Sequence, residues 1–161
     1  MAETHRLIVR HFTLADAAFL CRLLNEPSYL EFIGDRGVRS LGDAEQYLRA
    51  GPMASYAQNG HGLNAVVLKS SDELIGMCGV LKRDTLPEPD LGYAFLPEFT
   101  GAGYAFEAAK VCMQHAKSVL NLPALLAIVR SNNAASIRLL VNLGFAEQPS
   151  EPPLLRYRVL L

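Results

Sequence analysis

The feature that most constrains the fold is a turn with two glycines, placed between a strand and a helix. An apolar, β-favouring run at 91–96 precedes Gly101-Ala102-Gly103, and a helix-favouring run begins shortly after it. Glycine lets the backbone approach a ligand closely, and the N-terminus of a helix directs partial positive charge toward it. The turn therefore predicts a site for an anion, most naturally a phosphate.

The same residues also fit an ordinary turn before a helix. No Gly-Lys-Ser/Thr follows the glycines, so the turn is not a P-loop, and the third glycine of the dinucleotide-binding fingerprint is missing. On these residues alone, a phosphate site and a plain turn are both open interpretations.

The remaining pattern predicts a single domain, residues 1–161, built on a mixed α/β sheet of about seven strands with helices packed on its faces. Short apolar runs bounded by turn residues predict strands, and apolar residues at helical spacing predict helices. The predicted strands lie at 7–12, 63–69, 74–81, 90–96, 124–129, 145–147 and 154–160. The predicted helices lie at 14–24, at 40–58 with a break near Gly51-Pro52, at 105–120 and at 134–142. Residues 28–39 are predicted to form an irregular loop.

Charge and cysteine usage narrow the classes of partner. The net charge is −1 without a basic block, which argues against nucleic acid as the main partner. No apolar run is long enough to span a membrane, and the first residues do not resemble a signal peptide, so we expect a cytoplasmic protein with no membrane partner.

The three cysteines lack Cys-x-x-Cys spacing and are predicted to be buried free thiols. The four histidines are too dispersed to predict a metal site.

Four parts of the chain resemble motifs of one known family. They are Gly101-Ala102-Gly103-Tyr104-Ala105 with Glu107-Ala108, Asn133-Ala134-Ala135-Ser136 with Leu143-Gly144-Phe145, Arg6-Leu7-Ile8-Val9-Arg10 with Thr13-Leu14-Ala15-Asp16-Ala17, and Ile75-Gly76-Met77-Cys78-Gly79. The first two resemble the acetyl-CoA pyrophosphate loop and the following helix and strand of the GNAT-type N-acetyltransferase superfamily. The other two resemble its branch that acetylates the N-termini of ribosomal proteins. The resemblance covers nearly the whole chain.

The resemblance implies a particular sheet and a co-substrate. Two neighbouring parallel strands, at 90–96 and 124–129, splay apart in a V within a mostly antiparallel sheet. The pantetheine arm of acetyl-CoA pairs with the exposed edge like an added strand, and its pyrophosphate lies on N–H groups at the start of the next helix. The cofactor-binding residues implied in this way are Phe95, Leu96, Gly101, Ala102, Gly103, Tyr104, Ala105, Asn133 and Ser136. For Asn133, the simple cap of a helix is an alternative role.

The resemblance also implies direct attack of a primary amine on the thioester in a ternary complex. A carboxylate near the acceptor can remove the proton of the amine. Asp90 is the first choice for this base and Glu88 the second, with a solvated acidic turn as the alternative for both. Backbone N–H groups near Phe95 and Leu96 are expected to stabilise the oxyanion.

Two positions depart from the pattern of the family. Many relatives protonate the departing thiolate with a tyrosine on the last helix, but Leu140 occupies that position, so Ser136 is assigned the role of donor. Glu98 stands where the superfamily usually has Gln or Arg, and a carboxylate is unhelpful beside a pyrophosphate unless it points away.

The sequence does not identify the acceptor. The predicted substrate-binding residues are Tyr29, Phe32, Ile33 and Tyr93. A protein N-terminus, a polyamine or amino acid, and an aminoglycoside-like compound are all candidates. A catalytically silent CoA-binding module and a purely structural domain are alternatives to an enzyme, and the sequence is compatible with a monomer or a homodimer.

Overall fold

Eight strands form one mixed sheet in the computed structural model, which describes residues 2–161. Their bounds are β1 Ala2–Glu3, β2 Leu7–Arg10, β3 Leu63–Leu68, β4 Glu73–Leu81, β5 Asp90–Phe95, β6 Ala124–Arg130, β7 Ala146–Gln148 and β8 Leu154–Leu160. The order across the sheet is β1-β2-β3-β4-β5-β6-β8-β7. All neighbouring pairs are antiparallel except β5 and β6, which are parallel.

Six α-helices connect the strands. Their bounds are α1 Ala17–Leu23, α2 Pro27–Phe32, α3 Leu41–Leu48, α4 Ala54–Asn59, α5 Tyr104–Ser118 and α6 Ala134–Asn142. A π-helical segment, Arg49–Met53, joins α3 to α4 and contains Pro52. Proline lacks the N–H that an α-helix needs at this point, which explains the irregular turn where the sequence predicted a break.

The sheet carries a separate hydrophobic core on each face. Successive residues of a strand point to opposite faces. Accordingly, Met77 of β4 packs with residues of α1, α2 and α3, whereas Cys78 packs with residues of α5 and α6. The prediction of helices on both faces is therefore confirmed.

The parallel strands β5 and β6 meet at one end and then separate. Within residues 2–161 their only register pair is Asp90 with Leu126, and the Leu126 N–H donates to the Pro89 carbonyl at 2.9 Å. The strands continue to Phe95 and Arg130 without further pairing, so a V-shaped gap opens in the middle of the sheet. This gap confirms the predicted splay.

One local prediction of secondary structure was wrong. The segment predicted as an irregular loop at 28–39 begins with α2, and only 34–39 lack regular structure. Pro27 occupies the first helical position, where its fixed φ favours the helix and its missing N–H costs nothing. The sheet also has an eighth strand, because the short β1 pairs with the edge of β2.

The three cysteines differ in burial. Cys78 and Cys112 are buried free thiols as predicted, but Cys21 is only half-buried. The inward face of α1 is formed by Ala17, Leu20 and Leu23, and Cys21 lies at its side. Among residues 2–161, no helix combines the length and the apolar character that crossing a membrane requires.

Candidate active site

A cavity of about 570 Å³ occupies the gap between β5 and β6 and extends to α2 and the residues after it. It brings together twelve residues predicted from the sequence: Tyr29, Phe32, Ile33, Asp90, Tyr93, Phe95, Gly101, Gly103, Tyr104, Ala105, Asn133 and Ser136. Three other predicted residues, Glu88, Leu96 and Ala102, do not line it. The cavity is of the size expected for a small-molecule site.

The turn before α5 has a backbone that requires glycine. Gly101 and Gly103 have φ values of +81° and +83°, in the left-handed region that disfavours residues with a Cβ. Gly103 caps α5, a helix of 15 residues. The first N–H groups of this helix have no partner within the helix, so they are available to an anion in the cavity.

Arg6 holds the turn from the other side, which the sequence did not predict. Its Nη1 donates to the Ala102 carbonyl at 2.9 Å, and its Nε donates to Glu107 at 2.7 Å. The guanidinium also lies 4.4 Å from the centre of the Tyr104 ring. Since Arg6 directs the Ala102 carbonyl away from the cavity, Ala102 can contribute to an anion site only through its N–H.

Glu98 does not face the cavity. It forms an ion pair with Arg22 of α1, and both side chains are about half exposed. A hydrogen bond from its own backbone N–H and the pairing with Arg22 lower the pKa of Glu98. The unfavourable carboxylate identified in the sequence is thus neutralised by a residue from another helix.

The edge of β5 that faces the gap is defined by the pairing of β5 with β4. The Leu96 N–H donates to the Ile75 carbonyl at 2.9 Å, so Leu96 faces β4 and its N–H cannot serve as an oxyanion donor. Hydrogen-bonded and non-hydrogen-bonded pairs alternate in an antiparallel ladder. Phe95, opposite Gly76, and Tyr93, opposite Cys78, therefore direct their backbone N–H and C=O groups into the gap.

Asp90 lies at the closed end of the gap and is 1% exposed. Its carboxylate is paired with Arg83, with one distance of 3.0 Å from Nε and one of 3.0 Å from Nη2. Burial raises the pKa of Asp90, and the charge and hydrogen bond of Arg83 only partly oppose this rise. Arg83 is the partner of the buried carboxylate, a role that the sequence did not predict.

Glu88 is held away from the cavity. Arg158 of β8 donates to its two carboxylate oxygens at 2.7 and 2.8 Å, in a bidentate pair. These hydrogen bonds lower the pKa of Glu88. Glu88 is therefore a poorer candidate for the base than Asp90, because it does not line the cavity, whereas Asp90 does.

Two hydroxyl groups meet inside the cavity. The Tyr93 and Ser136 hydroxyl oxygens are 2.5 Å apart, and burial raises the pKa of Tyr93 to about 12. Asn133 accepts a hydrogen bond from the Ser136 N–H at 3.2 Å and so acts as the cap of α6, while it also lines the cavity. Leu140 is 1% exposed and packs in the core, where it has no access to a ligand.

The end of the cavity near α2 contains residues that the sequence did not single out. Tyr47 of α3 and Arg36 line it together with the predicted Tyr29 and Phe32. Burial raises the pKa of Tyr47 and the adjacent Tyr29 adds to the rise, whereas Arg36 and Arg83 oppose it. These residues line the same cavity, although they are not neighbours in the sequence.

Comparison with known proteins agrees with this architecture. Residues 6–146 match the family model described as an acetyltransferase (GNAT) domain. The chain is 27% identical over 146 residues to the uncharacterized N-acetyltransferase p20 of Bacillus licheniformis, covering 90% of this chain and 82% of the relative.

Solved structures show the same fold. An acetyltransferase from Agrobacterium tumefaciens superposes with a TM-score of 0.85 and 28% identity, covering 98% of this chain and 92% of that chain. The ribosomal-protein-S5-alanine acetyltransferase of Vibrio fischeri has a TM-score of 0.83 but only 18% identity, covering 99% of this chain and 95% of that chain. The second likeness concerns the fold alone.

Proposed function

The chain belongs to the GNAT acetyltransferase family, and on that premise we propose that it transfers an acetyl group from acetyl-CoA to a primary amine in a ternary complex. The observation that carries this proposal is the continuity of one cavity from the glycine turn, along the open edge of β5, to the buried Asp90. A single ligand with a phosphate end and a long polar arm matches these parts in order.

The donor is bound mainly by backbone groups. In the proposed complex, the N–H groups at the start of α5 bind the pyrophosphate, aided by the positive end of the helix. The outward N–H and C=O groups of Tyr93 and Phe95 pair with the amides of the pantetheine arm, as an added strand would. An N–H of this same edge supports the negative charge that develops on the thioester oxygen.

Asp90 is the proposed proton acceptor. An α-amine has a pKa of about 7.7–8.0, so near neutral pH most of it must lose a proton before it can attack. Asp90 is the one carboxylate that lines the cavity within residues 2–161, and Arg83 keeps it oriented. We assign it the removal of this proton, directly or through a water molecule.

Ser136 and Tyr93 together supply the proposed donor to the departing thiolate. Their short hydrogen bond holds one hydroxyl hydrogen between them and directs the other outward. Tyr93 remains protonated at physiological pH because its pKa is about 12. The pair thus takes the role that a tyrosine on the last helix has in many relatives. In this chain, Leu140 occupies the position of that tyrosine.

Release of CoA thiol from acetyl-CoA, with and without added primary amines, tests this proposal. We expect amine-dependent release and an acetylated amine of the correct mass. Binding of acetyl-CoA without release for any amine would instead favour a non-catalytic CoA-binding module. Absence of binding in calorimetry would contradict both functions.

A further inference from the structure

We propose that the acceptor is a small primary amine that also carries a carboxylate, and that Arg36 binds this carboxylate. The inference rests on the proposed transfer reaction and names the substrate class of the same site. It depends on the charges that line the cavity and on the pairing state of each.

The cavity has an excess of positive charge. Its charged lining residues within 2–161 are Arg36, Arg83, Arg130 and Asp90. Asp90 and Arg83 neutralise one another at 3.0 Å. Arg36 and Arg130 have no carboxylate within ion-pair distance in the described part of the chain, and the Nε of Arg130 is buried without a hydrogen-bond partner. In this cavity, a polycationic acceptor would meet two arginines without a carboxylate partner and no carboxylate that is free of an arginine.

Arg36 has no carboxylate partner although a carboxylate is next to it in the sequence, and a hydrogen bond with the neutral Tyr29 side chain is the main cause that raises the pKa of Arg36. Asp35 pairs instead with Arg39, at 2.6 Å, and its other oxygen accepts the Gly37 N–H at 2.8 Å. The guanidinium of Arg36 is thus not neutralised by its own loop. An arginine fork binds a carboxylate through two parallel hydrogen bonds, which gives this site a preference for a planar anion.

Arg36 lies at the acceptor end of the cavity, away from the glycine turn. It lines the cavity together with Tyr47 and with Arg83, the partner of the proposed base Asp90. The wall between is apolar and aromatic, formed by Tyr29, Phe32 and Ile33. A ligand that fits this surface directs its amine to Asp90 and its carboxylate to Arg36. An apolar portion between the two groups lies against the aromatic wall.

Matched pairs of acceptors test the inference. CoA release is measured with α-amino acids and ω-amino acids, each beside its carboxamide, and with spermidine. We expect the carboxylate member to have a kcat/KM at least about tenfold higher. An amino amide has a less basic amine than the amino acid, so intrinsic reactivity would favour the amide and cannot produce this preference. The two series distinguish a short from a long spacing of the two groups.

Variants identify the residue responsible. Arg36→Gln is expected to raise KM for the amino acid about tenfold or more, remove the preference over the amide and leave KM for acetyl-CoA unchanged. Arg36→Lys keeps the charge but not the fork, and should retain part of the preference. Arg49→Gln is the matched control, because Arg49 pairs with Glu45 on the exposed side of α3 and neither residue lines the cavity.

Two results would overturn the inference while leaving the transferase proposal intact: carboxamides or spermidine as the better acceptors, and an unchanged preference in Arg36→Gln. If neither this panel nor peptides with free N-termini and aminoglycosides are acetylated, the transferase proposal itself is contradicted. Calorimetric titration of the CoA complex with N-acetyl amino acids and their amides then still decides the anion site. Equal affinity for acid and amide would count against it, and tighter binding of the acid that Arg36→Gln abolishes would support it.

Discussion

The hydroxyl groups of Tyr93 and Ser136 lie 2.5 Å apart and join β5 to α6 by a hydrogen bond inside the cavity. The two strands that flank the gap are otherwise unpaired at this level. The contact therefore combines a structural role, which holds α6 against β5, with the supply of a proton to a ligand in the gap.

Ser136→Ala is expected to reduce kcat at least about tenfold and to change the affinity for acetyl-CoA little, since a positioned proton donor contributes about 10²–10⁴ in rate. Steady-state kinetics and calorimetry with acetyl-CoA separate the two effects. Tyr93→Phe should act in the same direction, and the double variant should lose less than the product of the two, because the residues form one unit. Equal losses in kcat and affinity for Ser136→Ala would exclude it as the donor to the thiolate.

Gly103→Val is expected to abolish measurable acetyl-CoA binding while the chain remains folded. A residue with a Cβ is strained by about 1–3 kcal/mol at the φ of +83°, and its Cβ would meet the Nη2 of Arg6 at 3.4 Å, so the turn that presents the first N–H groups of α5 must shift. Gly60→Val is the matched control, because Gly60 also has a positive φ, +74°, but lies at the end of α4 outside the cavity. The control should lose stability without losing affinity in calorimetry, and the same affinity in both variants would place the phosphates elsewhere.

Asp90→Asn is expected to lower kcat at least about 100-fold, because an amide cannot accept the proton. The same substitution is not expected to reduce the stability of the folded chain. The pKa of Asp90 is raised from 3.8 by burial, so its ionisation is less favourable in the folded than in the unfolded chain. The stability associated with its neutral form is present below the unfolded pKa and is lost as the pH rises through the folded one. The variant should therefore keep or increase the Tm at pH 7, measured by calorimetry.

Glu88→Gln is expected to give the opposite pair of results, a small loss of stability and an unchanged kcat. Hydrogen bonds from Arg158 lower the pKa of Glu88 from 4.5, so its ionisation contributes stability above the unfolded pKa, and this contribution is lost as the pH falls through the lower folded value. Because both side chains of the pair remain partly exposed to solvent, the loss of stability at pH 7 is expected to be below about 1 kcal/mol, with kcat unchanged. A large fall in kcat for Glu88→Gln, beside a normal kcat for Asp90→Asn, would reverse the assignment of the base.

Arg6→Gln is expected to raise KM for acetyl-CoA about tenfold with a smaller effect on kcat. The substitution removes the contacts to Ala102, Glu107 and Tyr104 that hold the turn, so binding must order a looser backbone. Hydrogen exchange at 100–106 should become faster in the free protein. Lys69→Gln, which removes an ion pair with Glu3 in the same region, is the control; unchanged exchange in Arg6→Gln would show that the turn is rigid by itself.

The parts of the fold and site that the sequence predicted are those with local signals. The glycine turn, the strand before it and the Asn133 cap each depend on residues within a few positions of one another. Two roles depended on partners across the sheet. The loss of Glu88 to Arg158, a residue 70 positions away, and the pairing of Leu96 with Ile75 follow from strand register, which single residues do not reveal.

The acceptor end of the cavity was only partly predicted for the same reason. The aromatic residues Tyr29 and Phe32 were identified by their type, although α2 was not. Arg36 and Tyr47 become neighbours only when α2 and α3 pack on the sheet. No local pattern distinguishes Arg36 from Arg39, and only the tertiary structure shows that Asp35 neutralises one and not the other.

The V-shaped gap also has a consequence for the survival of the folded chain. Two central strands present unpaired edges, which in most sheets occur only at the outside and which invite pairing with other chains. A ligand that fills this gap only in the folded state adds RT ln(1 + [L]/Kd), or about 2.7 kcal/mol at one hundred times its Kd. The supply of acyl donor is therefore expected to govern resistance to unfolding and aggregation as well as the rate of transfer.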